Sequence, residues 1–241
     1  MTAPVDPRPL GEIVKGWAPV PAPPRNLALT GRWCHLRPLD PARDAAPFFD
    51  RVAAHRWLFD YLPEPPPARV EDLQAALEAL PPAPTLPLAI CAAGSQDPLG
   101  VACLMSVDPV VGSIEIGHVC LSPELQGTPA ATEAMALMLG WAFGAGYRRM
   151  VWKCNALNAP SRRAAQRLGF SFEGVSRNHV IVKGRNRDTA WFAMTDADWS
   201  TLHKAFDAWL SPANFDADDR QKTRLSTLTA PAVVQRDPTL G

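Results

Sequence analysis

The stretch from Leu121 to Ala134, LSPELQGTPAATEA, carries the residue types of an anion site, because a strand runs through a short turn directly into an apolar helix. Thr128 suits the N-cap and Pro129 the first helical position, where its missing N–H would have had no partner anyway. The N–H groups left over, with the positive end of the helix dipole, attract phosphate or carboxylate. Small residues at Gly127, Ala130 and Ala131 let such a group approach the main chain. Any well-capped helix after a turn shares these features, so both readings stand at this level. Upstream, Glu115 is a carboxylate in the otherwise apolar run Ser113 to Leu121, either a proton acceptor or a structural acid. Asn158 and Ser161 open a later helix, NAPS, where such residues also serve as plain caps. His179 follows a strand, and imidazole titrates near neutrality; an exposed loop histidine is the alternative. His118, beside apolar neighbours, reads as core or cavity wall. Cys120 and Cys154 could act as nucleophiles, but neither has a base partner in sequence, and the five cysteines look like reduced core residues. No CxxC, HxH or HExxH spacing occurs, so no metal is expected.

Apolar periodicity supplies the elements that must position these groups. GRWCHLRPL offers a first strand. Pro41 opens a helix carrying Phe48, Phe49, Val52 and Trp57, and Leu73, Leu77 and Leu80 mark one buried face of a second. Leu86 to Ala92 and Leu99 to Val107 flank the turn-forming GSQDP as a hairpin, with Ser113 to Leu121 the next strand. Ala130 to Ala145 is apolar nearly all round and reads as a buried central helix. Met150 to Cys154 is a strand and Ala159 to Leu168 a helix. Phe170 to Arg177, Val180 to Val182 and Asp188 to Met194 are the last strands, before a helix from about Asp196. The order predicts an α/β class with a mixed sheet. Proline clusters make 1–27 an arm and loss of periodicity makes 213–241 a polar tail, leaving 28–212 as the domain.

Lysine plus arginine (24) balance aspartate plus glutamate (24), so no overall field draws the chain to nucleic acid or to an anionic membrane. No apolar run approaches the ~20 residues of a spanning helix. Prolines and an acid stand in Met1 to Leu10 where a leader would carry a basic end and an apolar stretch, so the expected location is cytoplasmic.

Gln126 and Ala131 match the Q/R-x-x-G-x-G/A pyrophosphate loop of the GNAT acetyltransferases, with Pro129 in place of a glycine and one backbone donor fewer. ATEA (131–134), EIGHVCL, YRRMVWKCNALNAPSRRAAQRLGF and FEGV resemble, in the same order, segments of the RimJ/RimL-like branch, from about Leu29 to Trp199. The resemblance implies a GNAT fold, in which a splayed central sheet flanked by helices takes acetyl-CoA where two central strands part.

By that resemblance, Gln126, Gly127, Thr128, Ala130 and Ala131 hold the coenzyme phosphates, and main-chain groups of Val119 and Leu121 pair with the pantetheine arm. Asn158 contacts the coenzyme and Ser161 lies near its sulfur, a candidate acid for the departing thiolate. Glu115 stands eleven residues before Gln126, where the histone-modifying branch carries its base. His179 is a second candidate base, near a position where RimL-type enzymes carry a glutamate and this chain has Val180. Trp57 and Tyr61 fall where the family builds its acceptor wall, or they simply pack the first two helices together. Many relatives use a tyrosine as the acid, but Tyr61 and Tyr147 both lie outside Ala159 to Leu168. Arg162, Arg163 and Arg167 could reach phosphate or form a solvated face. The implied activity is acetyl transfer from acetyl-CoA to a primary amine, a protein N-terminus or a small molecule, by direct attack. A non-catalytic acyl-CoA sensor is the alternative. A homodimer could cover an aromatic edge around Trp191 and Phe192.

Overall fold

The computed structural model of the chain describes residues 9–81, 83–217 and 220–240. Strands β1 (Leu29–Thr30) and β2 (Cys34–Pro38) precede α1 (Pro41–Val52), a 3-10 turn (Arg56–Phe59) and α2 (Val70–Glu78). Three strands follow, β3 (Leu86–Ala92), β4 (Pro98–Asp108) and β5 (Ser113–Leu121), then α3 (Pro129–Gly144), β6 (Arg149–Asn155) and α4 (Ala159–Arg167). The long hairpin β7 (Ser171–Val182) and β8 (Arg185–Thr195) leads into α5 (Asp196–Leu210) and the short α6 (Leu225–Thr229). The class is the expected mixed α/β fold: one sheet in the order β1-β2-β3-β4-β5-β6-β8-β7, flanked by helices. Among these pairs β5–β6 is parallel and the others antiparallel.

Two expected boundaries move. Trp57 is not on α1, which ends at Val52, where the His55 N–H closes on the Val52 carbonyl and redirects the chain. Arg177 and Val180 belong to one strand, β7, whose register slips between Ser176 and Val180 rather than ending.

The sheet has an apolar layer on each face. Leu88, Leu104, Ile114, Ile116, Trp152 and Phe192 pack with α3 and α5 on one side. Phe48, Phe59, Leu73, Leu77, Val101 and Cys103 pack α1 and α2 on the other. Glu133, buried in the second turn of α3, accepts hydrogen bonds from the main-chain N–H groups of Arg32, Trp33 and Cys34 at 2.7, 2.7 and 2.9 Å. It ties the start of α3 to the turn between β1 and β2, and the three donors satisfy a charge that burial alone would penalise.

Both terminal segments touch this body. In the proline-rich arm, whose first eight residues lie outside the described residues, Val20 and Leu27 are buried and Tyr147 donates to the Pro21 carbonyl at 2.9 Å. In the polar C-terminal segment Leu225 is buried, and Asp237 makes a two-pronged pair with Arg162 at 2.7 Å on each prong. Such contacts leave little trace in hydrophobic periodicity, because they rest on a charge pair and a few isolated side chains. β8 lies between β6 and β7, and Phe192 is fully buried, so Trp191 and Phe192 do not form the exposed edge expected to favour a dimer.

Candidate functional site

β5 and β6 pair only over Ser113 with Arg149, Ile114 with Met150, and Glu115 with Val151. Beyond Glu115 they part. On its other side β5 carries a bulge: Val101 faces Cys120 and Cys103 faces Gly117, so Ala102 opposes both His118 and Val119. His118 takes φ 49°, a left-handed conformation uncommon outside glycine. A bulge bends its strand and sharpens the local twist, which carries the end of β5 away from β6. A cavity of about 580 Å³ fills the gap, reaching from the start of α3 across β5 and β6 to the loop after α1.

At the α3 end, Thr128 caps the helix by accepting from the Ala131 N–H at 3.2 Å, and Pro129 holds the first position. Gly127 adopts φ 74°, which lets the chain turn tightly into the helix. The N–H groups of Gly127 and Ala130 have no main-chain partner among the described residues. Gln126 folds its side chain back, Nε2 donating to the Leu121 carbonyl at 2.9 Å. Arg167 reaches the same end from α4, placing Nη1 and Nη2 3.1 and 3.2 Å from the Thr132 hydroxyl, with no carboxylate in ion-pair range among the described residues. The three arginines considered from sequence thus divide. Arg162 is buried on Asp237, Arg163 is exposed, and Arg167 lines the cavity.

At the far end, Ser161 accepts a hydrogen bond from the Trp152 indole N–H at 3.0 Å. Indole only donates, so the Ser161 hydroxyl proton points away from Trp152, and the Cys154 thiol is its other side-chain neighbour. Asn158 caps α4 through Oδ1, which accepts from the Ser161 N–H at 3.1 Å; its amide N–H groups are not used by that contact. Glu115, 3% exposed, holds Lys153 Nζ at 2.9 Å and accepts from the Ser106 hydroxyl at 2.8 Å. His118 Nε2 lies 3.4 Å from Glu64 Oε2. Burial pushes the His118 pKa down, and the Glu64 charge pulls it partly back. Burial, with the Glu64 charge, pushes the Cys120 thiol up to about 12, and burial also raises Cys154. Both remain thiols at neutral pH, poor nucleophiles by that measure.

The loop after α1 roofs this end. Tyr61 donates to the Leu157 carbonyl at 3.1 Å, and Lys183 Nζ, from the β7–β8 turn, donates to the Phe59 carbonyl at 2.6 Å. Of the residues singled out from sequence, Glu115, Val119, Leu121, Gln126, Gly127, Thr128, Ala131, Asn158, Ser161, Trp57 and Tyr61 line the cavity together. Ala130 does not line it, and His179 lies elsewhere, exposed in the register slip of β7 with Nδ1 3.0 Å from the Thr189 hydroxyl. Lys153, Glu64, Ser106 and Arg187 were missed. Alternation along β6, apolar at Met150, Trp152 and Cys154, puts Lys153 on the opposite face, which is the one signal that could have found it. Among the described residues no cluster of three or more His, Cys, Asp or Glu could hold a metal, and no helix is long and apolar enough to cross a membrane.

The acetyltransferase (GNAT) domain model matches residues 34–171. A GCN5-related N-acetyltransferase from Brucella melitensis is 39% identical, superposes with a TM-score of 0.85, and is covered over 100% of its chain and 90% of this one. A probable acetyltransferase (GNAT family) from Chromobacterium violaceum is 36% identical, with a TM-score of 0.76 and coverage of 100% and 83%. A curated relative, "Putative ribosomal N-acetyltransferase YdaF" of Bacillus subtilis, is 29% identical over 101 residues, 42% of this chain. That match spans 55% of the relative's length.

Proposed function

This chain belongs to the GNAT acetyltransferase family, and on that premise we propose that it transfers the acetyl group of acetyl-CoA to a primary amine, on a protein N-terminus or a small molecule, by direct attack. The observation that carries the proposal is the parting of β5 and β6 over a cavity that begins at the uncovered start of α3. The N–H groups of Gly127 and Ala130, the helix dipole and the Arg167 guanidinium, which has no carboxylate partner among the described residues, make that end attractive to the coenzyme pyrophosphate. Thr128 and Ala131 shape the turn by capping, and Gln126 fixes it to the end of β5.

From there the pantetheine arm follows the free edge of β5 along Val119 and Leu121. Asn158 contacts it, which places the sulfur near Ser161. The Ser161 hydroxyl, oriented by Trp152, then protonates the departing thiolate. Glu115 fixes Lys153 in the groove from which the amine arrives, bounded by Trp57 and Tyr61. Direct attack is supported by Cys120 and Cys154, whose thiols are held protonated by burial and so are ill suited to carry an acyl group in relay. The relative named "Putative ribosomal N-acetyltransferase YdaF" supports a ribosomal component as one acceptor class.

The test is release of the CoA thiol from acetyl-CoA over a panel of peptides with free N-termini and small primary amines, with calorimetric titration of acetyl-CoA. Turnover with at least one amine and saturable binding are expected. No binding ends the proposal. Binding without turnover for any acceptor replaces it with a sensor.

A further inference from the structure

We propose that His118, with Glu64 behind it, is the base that takes the proton from the acceptor amine, an assignment that rests on the acetyl-transfer reading above. The cavity offers two strong acceptors on β5. Glu115 is already committed, its carboxylate matched by the Lys153 ammonium and the Ser106 hydroxyl. His118 is not: the single polar group against its ring among the described residues is Glu64, 3.4 Å from Nε2. Glu64 lies on the Nε2 side of the ring at ion-pair range, outside hydrogen-bond geometry, and the tautomer that carries its proton on that side leaves Nδ1 with its lone pair. Glu64 in turn has no ion-pair partner among the described residues other than this imidazole.

The bulge gives the histidine its place. Without it, alternation along β5 would turn residue 118 toward the α3 side, with Ile114 and Ile116. The extra residue instead lets His118 join Gly117 and Cys120 on the face toward α1 and α2, where it meets Glu64 and walls the cavity. The left-handed backbone at φ 49° costs energy for any residue with a side chain, so the surrounding structure holds His118 there against that cost. The titratable groups around it are Glu64 from the loop before α2, Cys103 on β4 and Cys120 on β5, and farther along β5 Glu115 with its partner Lys153 from β6. Burial favours the uncharged ring, so the base is in its working form at neutral pH, and Glu64 stabilises the imidazolium formed during turnover.

The step balances. An N–H proton of the amine passes to Nδ1 of His118 as the amine nitrogen bonds to the thioester carbonyl carbon. The carbon–sulfur bond breaks, and the sulfur takes the Ser161 proton. Ser161 is reprotonated from solvent and His118 releases its proton to solvent, leaving an amide and free CoA.

The test uses the full chain and the acceptor from the panel above with the highest turnover. Asparagine tolerates the left-handed backbone, so His118→Asn keeps the bulge and removes the base. Its kcat is expected to fall about 100-fold or more while acetyl-CoA affinity stays within about threefold, with partial rescue by added imidazole. In the wild type, kcat is expected to decline as pH falls through the His118 pKa, below the ordinary histidine range; in His118→Asn that acid limb disappears. Glu64→Gln removes the charge that holds the pKa up, so it moves the limb to lower pH, a shift that a purely structural role would not produce. A His118→Asn enzyme within threefold of wild type overturns the assignment, as does a slower variant that keeps the acid limb unchanged. If His118→Asn does not fold, an unmoved limb in Glu64→Gln overturns it. Failure of wild type to bind acetyl-CoA overturns the acetyl-transfer reading and this assignment together, whereas wild-type turnover with an indifferent His118 overturns this one alone.

Discussion

At the α3 end of the cavity, the groups available to an anion come mostly from one stretch, Gln126 to Ala131, and act through main-chain N–H groups fixed by a cap, a proline and one left-handed glycine. At the opposite end, His118, Lys153, Ser161 and Arg187 come from three strands and a helix, with Glu64 behind His118 from a loop, and all act through side chains. The first end is local and rigid, since a helix start presents its donors whatever surrounds it. The second exists only when β5 and β6 part, a bulge turns His118 to the α1–α2 face, and the β7–β8 turn pins the roof through Lys183. Coenzyme binding and acceptor chemistry should therefore respond to different substitutions.

The largest separation is expected for Gly127→Val. A branched side chain at φ 74° strains the turn and crowds a phosphate, so acetyl-CoA affinity should drop about 100-fold, close to 2.7 kcal/mol. Calorimetry checks this; an unchanged affinity would detach the anion site from this turn. Ser161→Ala acts at the other end. It should lower kcat about 10- to 100-fold with acetyl-CoA affinity nearly intact, because the Trp152 indole and the α4 cap hold the local structure without contributing an acidic proton. Equal kcat in steady-state assays would move the thiolate's proton source to water. Tyr61→Phe should do least. It removes the hydrogen bond to Leu157 that fastens the exposed roof, and a rise of about two- to threefold in the acceptor KM, with acetyl-CoA KM unchanged, is the expected outcome. A shift in the coenzyme KM instead would show that the two ends are coupled through the roof.

Legibility followed the same division. The N-cap at Thr128, Pro129 at N1, the Asn158 cap and the strand and helix order are present in the structure as residue types and periodicity predict. Glu133 appeared in sequence only as part of a matching run; its contacts with the turn before β2 span about 100 positions. The pair of Arg162 with Asp237, 75 positions apart, turned one of three apparently equivalent arginines into a structural cation and left Arg167 to the cavity. His179 attracted attention as a histidine near the right strand, yet the register slip in β7 leaves it on the surface. His118, read as core or wall, gained a carboxylate neighbour from a loop more than fifty residues away.

By itself, then, the sequence determined what depends on near neighbours: the element order, the mixed α/β class, the capped entry to α3 and the small residues that keep it open. These are properties of i to i+4 contacts and of alternation along a strand, and they are written in residue type and spacing. The tertiary structure alone decided which charges meet, which cysteines are too buried to ionise and which histidine faces the cavity. Those outcomes turn on a single extra residue in β5 and on side chains brought together from distant positions, where a one-residue change of register sends a group to the other face of the sheet.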